Sequence, residues 1–204
     1  MVQNNHGDAR PSRPKSWAAV LLALWVVLPW AWNLAAADPL DGPLEIQSAF
    51  VDTVGGVYRL HVRTRYPANE QTVAALREGI TLTYTLETTV SRPRPFWLDA
   101  EVVALQLERE LSFQPVSERY VILDPLADGE QRSFVSLDEA LVALGEIDAW
   151  PILVAAQTRE PGEYRVSVRA TIRRGRLTDA LRALMFWSDD WQRASEWYSW
   201  SLPR

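Results

Sequence analysis

Apolar and polar residues alternate with period two along most of the chain after residue 43. Between residues 58 and 66, for example, Leu60 and Val62 stand between the polar residues Arg59, His61 and Arg63. Such alternation is typical of a β-strand that buries one face. The segments that predict strands are 44–52, 58–66, 82–90, 103–113, 119–123, 152–157 and 164–173, and Gly55 with Gly56 indicates a hairpin turn between the first two.

Three short helices are predicted between these strands. Asn69 is a suitable N-cap for a helix that ends at Gly79. The segment Ser136–Glu139 has the form of a capping box, and an apolar repeat at helical spacing follows it up to Gly145. Thr178 can cap a third helix that extends to residue 187. The whole pattern predicts a mainly β, α+β fold: one antiparallel, β-sandwich-like domain with two or three short helices.

The C-terminal pattern predicts a last strand with one face in the core. Tyr198, Trp200 and Leu202 fall on one face of this strand, and Trp197 falls on the other. We expect the first three side chains to be buried and Trp197 to be more accessible.

The N-terminus has the pattern of an export signal. Arg10, Arg13 and Lys15 precede an apolar run from Trp17 to Trp32, and small residues follow at 35–37. We therefore expect a signal peptide at residues 1–37 and a single exported β-rich domain at residues 38–204. The expected location is the periplasm, as a soluble protein. The alternative is an inner-membrane protein that keeps the N-terminal segment as an uncleaved anchor.

Composition narrows the possible partners. The chain contains no cysteine, so an exported domain of this sequence is held together by packing without disulfides. Its formal net charge is −5, which argues against nucleic acid as a partner, because phosphate binding needs clustered cations. With His61 as the one histidine after the N-terminal segment, we expect no metal and no cofactor.

Catalytic signals are weak, and we expect a protein that is not an enzyme. His61 lies on the polar face of its strand between two arginines, where a solvated role fits best. The chain has no Gly-x-Ser-x-Gly nucleophile elbow. Glu108 and Glu110 are two residues apart on one strand face, a spacing that leaves a carboxylate-based, glycosidase-like hydrolase as an alternative.

Arginines form the first candidate binding surface. Arg59 and Arg63 share the polar face of one predicted strand, and Arg165 and Arg169 share that of another. If both strands lie in one sheet, the four guanidinium groups form a surface that suits an acidic envelope protein or an anionic glycan, since guanidinium binds carboxylates in a bidentate manner. The alternative is pairing with the protein's own carboxylates, including Glu87.

Tryptophans form the second candidate surface. Exposed indole rings stack on sugars in many carbohydrate-binding modules, and the residues available for this are Trp97, Trp187, Trp191 and Trp197. The alternative is that these rings fill a core that lacks disulfides. A carbohydrate- or peptidoglycan-binding module is therefore a second alternative function.

Four segments of the chain resemble a known family. They are "LETTVSRPRPFW" from Leu86, "SFVSLDEALVALGEI" from Ser133, "PGEYRVSVRATI" from Pro161 and the closing "WQRASEWYSWSL" from Trp191. In this order they are similar to the exported proteobacterial proteins of domain-of-unknown-function family 4390, some of which are called proline-rich signal peptide proteins. The resemblance implies export and one domain, with no activity and no catalytic residues to transfer. Our leading hypothesis is a non-catalytic binding or scaffolding protein of the Gram-negative cell envelope.

Overall fold

The protein is described from a computed structural model, which covers residues 40–127, 131–158, 162–175 and 192–202. These residues belong to one compact unit, Asp38–Arg204. The third predicted helix and the predicted signal peptide fall outside the described residues.

Ten strands and two α-helices make up the described part of the chain. The strands are β1 (Glu45–Val54), β2 (Val57–Arg65), β3 (Leu82–Arg92), β4 (Ala100–Gln114), β5 (Arg119–Leu123), β6 (Gln131–Phe134), β7 (Glu146–Val154), β8 (Arg165–Arg174), β9 (Gln192–Ala194) and β10 (Tyr198–Ser201), and the helices are α1 (Glu70–Arg77) and α2 (Leu137–Gly145). Within the described residues, no helix has both the length and the apolar character needed to span a membrane.

The strands form two antiparallel sheets. The larger sheet has the order β10-β8-β3-β4-β5-β6, with β9 also paired to β8, and the smaller sheet has the order β1-β2-β7. All of these pairings are antiparallel. Gly55 and Gly56, with φ of 60° and 78°, form the turn between β1 and β2, where two successive positive φ angles match the twist of the hairpin. The prediction of a mainly β, sandwich-like α+β fold is confirmed.

Local sequence explains where both helices begin and end. The Asn69 side chain accepts a hydrogen bond from the backbone N–H of Thr72 at 2.8 Å, and Ser136 does the same for Glu139 at 3.2 Å. Helix α1 ends at a Schellman motif: Ile80 N–H donates to the carbonyl of Ala75, and Gly79 has a φ of 88°. The predicted caps of both helices are confirmed.

One face of the larger sheet is covered by two different layers. Part of it packs on the smaller sheet, where Leu60 and Val62 of β2 join a cluster with Val166 and Val168 of β8. The rest packs on the two helices in a second cluster, which contains Leu76 and Leu144 of the helices and Leu82, Tyr84, Leu111 and Ile172 of the sheet. Each aliphatic side chain that is fully buried in this way contributes about 1.5–3 kcal/mol. The opposite face of the larger sheet carries the polar residues of the alternating pattern.

Arg109 lies inside the second cluster, on the buried face of β4. Its guanidinium lies 3.4 Å from a carboxylate oxygen of Asp124. It also donates to the backbone carbonyls of Leu144 and of Glu146, the latter at 3.2 Å, at the C-terminal end of α2. Carbonyls at this end of a helix lack partners within the helix and carry its partial negative charge. Arg109 therefore ties α2, β4 and the segment after β5 together.

The structure corrects two details of the predicted strands. β7 occupies Glu146–Val154 instead of 152–157, because a bulge opposite His61 places Ala149 at a φ of 53° and interrupts the alternation. Tyr198 is 40% exposed, although Leu202 is buried and Trp200 packs against the core. β10 is the outermost described strand of its sheet, so its first residue has a sheet neighbour on one side only.

Two buried tyrosines make the free energy of unfolding depend on pH in the alkaline range. The rings of Tyr66 and Tyr84 meet edge to face at 4.8 Å, and both are buried. Burial raises the pKa of both phenols, and the nearby charge of Arg109 offsets part of this for Tyr66. Their contribution to stability is complete below the unfolded pKa of about 10 and is lost as pH rises towards the folded pKa.

We therefore expect the free energy of unfolding to fall above about pH 10, by about 1.4 kcal/mol per pH unit for each buried tyrosine. Urea melts between about pH 9 and 11 measure this slope. Tyr84→Phe should reduce this slope by the contribution of one tyrosine, about 1.4 kcal/mol per pH unit. Tyr198→Phe, at an exposed position, should leave the slope unchanged. An identical slope in wild type and Tyr84→Phe would contradict the prediction.

Candidate functional site

The loop between β3 and β4 projects from one end of the larger sheet. The two strands pair from Leu82 opposite Leu111 up to Arg92 opposite Ala100, and residues 93–99 connect them. Pro93 and Pro95 have a fixed φ, and each also restricts the residue before it. A turn follows, in which the backbone N–H of Trp97 donates to the carbonyl of Arg94 at 3.4 Å. Phe96 has a φ of 67°, which is unusual for a bulky residue.

Three consecutive apolar residues at the tip of this loop are exposed to solvent. The exposed fractions are 103% for Phe96, 81% for Trp97 and 91% for Leu98. We call these three residues the apolar loop. Contiguous apolar exposure of this kind in a folded domain marks an interaction site. The sequence pattern indicates Trp97 as a candidate for sugar stacking but does not indicate that Phe96 and Leu98 are exposed with it.

The charges beside the apolar loop are unevenly paired. Arg94 is exposed and makes no ion pair with the residues that the structure describes. Asp99, on the other side of the tip, lies 3.6 Å from Arg165 of β8. Glu101 is exposed at the start of β4. The tip therefore has, among the described residues, a cation without an ion pair on its ascending side and a largely neutralised carboxylate on its descending side.

The predicted arginine surface is divided between two sheets. Arg59 and Arg63 lie on β2 of the smaller sheet, whereas Arg165 and Arg169 lie on β8 of the larger one. The condition for one surface of all four arginines, that both strands lie in one sheet, is therefore not met. Similar polar alternation on β2 and β8 says which face of each strand is wet, but it does not say which strands pair.

Each of these four arginines has a carboxylate partner within the protein. The pairs are Arg59 with Asp52 at 2.6 Å, Arg63 with Glu146, Arg165 with Asp99 at 3.6 Å and Arg169 with Glu87 at 2.6 Å. Hydrogen bonds from Arg59 and from His61 hold the pKa of Asp52 below its usual value. An external anion has to compete with these internal carboxylates. The structure therefore agrees with the alternative, in which the arginines pair with the protein's own carboxylates.

The four candidate tryptophans do not share one described segment. Trp97 is in the apolar loop, whereas Trp197 directly precedes β10 and is 44% exposed. The guanidinium of Arg169 lies over the Trp197 ring, 4.6 Å from its centroid, so that one ring face is covered. Trp187 and Trp191 lie outside the described residues.

His61 has a more structured environment than its sequence position indicated. Its ring stacks on Phe50 at 4.5 Å, and its two nitrogens lie 3.5 Å from carboxylate oxygens of Asp52 and Asp148. The backbone N–H of Ala149, in the bulge of β7, donates to Nδ1 at 3.4 Å. The Gly55-Gly56 turn fixes the hairpin register and so places Phe50 opposite His61. This turn is the feature of the sequence from which the ring stacking can be inferred.

The chemistry available at His61 is that of a proton acceptor held between two aspartates. Within the described ranges, no group of three or more histidine, aspartate and glutamate residues is arranged to hold a metal ion.

Glu108, one of the carboxylates considered for hydrolysis, pairs with Arg173. Glu110 lies beside it on the polar face of β4, opposite Thr83 of β3 and Leu123 of β5. Of the surfaces described, the apolar loop is the one that internal partners leave open.

Comparison with known proteins gives one family. The model of the family described as "Domain of unknown function (DUF4390)" matches residues 42–201, which includes every described strand and helix. Comparison with curated proteins finds no match, and comparison with solved structures finds none either. The chain belongs to the DUF4390 family, and the resemblance in its four sequence segments is confirmed.

Proposed function

We propose that this chain is an exported, non-catalytic binding protein of the Gram-negative cell envelope, and that it docks on its partner through the apolar loop. The observation that carries this proposal is the exposure of three consecutive apolar side chains, Phe96, Trp97 and Leu98, at the tip of a long hairpin. Most other large apolar side chains of the described strands are buried or partly buried in the two core clusters. A loop that departs from this rule is a functional candidate.

Export is supported by the sequence pattern of residues 10–37. Arginine and lysine before an apolar run keep the N-terminus on the cytoplasmic side, so the folded domain reaches the periplasm. We expect the protein isolated from cells to begin at Asp38, which N-terminal sequencing measures. A start at Met1 in the membrane fraction supports the anchored alternative instead.

The loop is favoured over the arginines and Trp197 as the docking element because those side chains already have partners. Arg59 and Arg169 each make two hydrogen bonds to one carboxylate. Displacing such a partner costs free energy that an external ligand must supply. The side chains of the apolar loop are exposed, so a partner can cover them without first displacing a carboxylate.

A photo-crosslinking amino acid in place of Trp97 tests the docking role in living cells. We expect it to give covalent adducts on irradiation, because a side chain that is covered by a partner lies within reach of the reactive group. A matched control is the same amino acid in place of Val116, which is 102% exposed in the turn between β4 and β5, at the other end of β4. No adduct at position 97, or equal adducts at both positions, would overturn the proposed function.

A further inference from the structure

We propose that the partner of the apolar loop is a phospholipid bilayer surface, into whose headgroup region Phe96, Trp97 and Leu98 insert. This inference rests on the proposed function and names the partner. Four features of the loop point to lipid: the exposure of its side chains, their chemical types, the stiffness of the loop and the charges beside it.

The first feature is exposure in every direction. A protein groove or an added strand covers one side, and the alternate residues then remain in water. Here Phe96, Trp97 and Leu98 are all more than four-fifths exposed. A fluid apolar medium can surround three consecutive exposed side chains on all their sides, and a bilayer is such a medium.

The second feature is the choice of side chains. Tryptophan is enriched at membrane interfaces, because its ring combines an apolar body with one N–H donor. Phenylalanine and leucine are the residues that interfacial segments bury among the acyl chains. The apolar loop therefore matches the polarity profile of the headgroup region, with Trp97 between two residues that have no polar side-chain atom.

The third feature is stiffness. The loop rises from the β3–β4 pairing, which extends past a bulge at Val102 up to Arg92 opposite Ala100, and Pro93 and Pro95 restrict its ascending arm. A segment that is already ordered loses little conformational freedom on insertion, so that less of the gain from burying its apolar surface is offset. This matters for a loop that offers only three apolar side chains.

The fourth feature is local charge. Arg94 lies directly before Pro95, is exposed and has no ion pair among the described residues, whereas Asp99 is paired with Arg165. A cation at this level suits anionic headgroups. Glu101 opposes this attraction, as does the net charge of −5 for the whole chain, but charges beyond about 8–10 Å are screened near physiological ionic strength. Apolar insertion makes the main contribution to the free energy of vesicle binding, and the charge of Arg94 adds a smaller one.

The absence of cysteine from the sequence permits a position-specific test. Leu98→Cys and, as control, Val116→Cys are each labelled with an environment-sensitive fluorophore and mixed with vesicles of phosphatidylethanolamine and phosphatidylglycerol. We expect the label at position 98 to shift to shorter wavelength and to be quenched by lipids that carry a nitroxide near the headgroup. The label at position 116 should not respond. Comparing two positions in the same chain removes any contribution of residues 1–37 to vesicle binding.

Arg94→Gln, added to the position-98 reporter, measures the contribution of the cation. We expect vesicle affinity to fall about fivefold, the effect of one basic residue near an anionic surface. No response at position 98 would overturn the bilayer as partner, and so would equal responses at positions 98 and 116.

The two proposals fail in different ways. If crosslinking at position 97 in cells gives an adduct with a protein and the fluorescence of the position-98 label does not change with vesicles, the binding role stands and the lipid inference is wrong. If position 97 gives no adduct and the label does not respond, both are wrong. Adducts of lipid mass at position 97 support both.

Discussion

Arg109→Met is expected to lower the free energy of unfolding by about 3–5 kcal/mol, the range for breaking a buried ion pair by removing one partner. The substitution leaves the Asp124 carboxylate buried without its cation. It also removes the donor to the carbonyls of Leu144 and Glu146 at the end of α2. A methionine of similar length fills the space, so the loss comes from the uncompensated polar groups rather than from a cavity.

Urea melts of Arg109→Met, Asp124→Asn, the double variant of both and one control variant test this expectation. Arg165→Met breaks an exposed pair with Asp99 and should cost about 1 kcal/mol or less. The double variant Arg109→Met with Asp124→Asn should be more stable than Arg109→Met alone, because the second change removes the uncompensated charge. A loss below about 1 kcal/mol for Arg109→Met, or simple additivity in the double variant, would mean that the buried pair is not coupled.

Gly145→Ala is expected to lower the free energy of unfolding by about 3 kcal/mol, at the upper end of the usual range for overpacking. A Cβ atom at this position would lie 2.2 Å from the carbonyl oxygen of Thr64 and 3.3 Å from its carbonyl carbon. Both contacts are with backbone of β2, so a side-chain rotation cannot relieve them. The end of α2 or the strand must move, and the hydrogen bonds of Arg109 to the same helix end move with it.

Gly79→Ala is the matched control, because it separates steric contact from backbone strain. Gly79 has a φ of 88°, and nothing lies within 4 Å of the position of its added Cβ. Alanine there pays only the cost of a left-handed conformation, about 1–2 kcal/mol. If Gly145→Ala costs no more than Gly79→Ala in the same urea melts, the close approach of α2 to β2 is not a constraint on the fold.

The candidate site was predictable only in part. Trp97 follows from the sequence as a candidate, because exposed indole rings stack on sugars. That Phe96 and Leu98 are exposed with it depends on the length over which β3 and β4 pair, which carries the turn beyond the end of the sheet. The arginines are candidates because guanidinium binds carboxylates, but each is paired with a carboxylate from a neighbouring strand or, for Arg165, from the β3–β4 loop, and a single strand's pattern does not show such neighbours.

The sequence by itself determined the local features of this protein. Alternation sets which face of β3, β4 and β8 is buried, since the pleat sends successive side chains to opposite sides. Asn69, Ser136 and Gly79 set the ends of the helices, because caps act on backbone groups within a few residues.

The tertiary structure alone decided which strands are neighbours. β2 and β8 have the same alternating pattern but lie in different sheets, and this division separates the arginines that the sequence had grouped. Arg109 lies on the buried face of β4, and its partners come from the segment after β5 and from the end of α2. Local sequence acts through backbone geometry over a few residues, whereas strand order and buried pairing depend on contacts between segments that are distant in the chain.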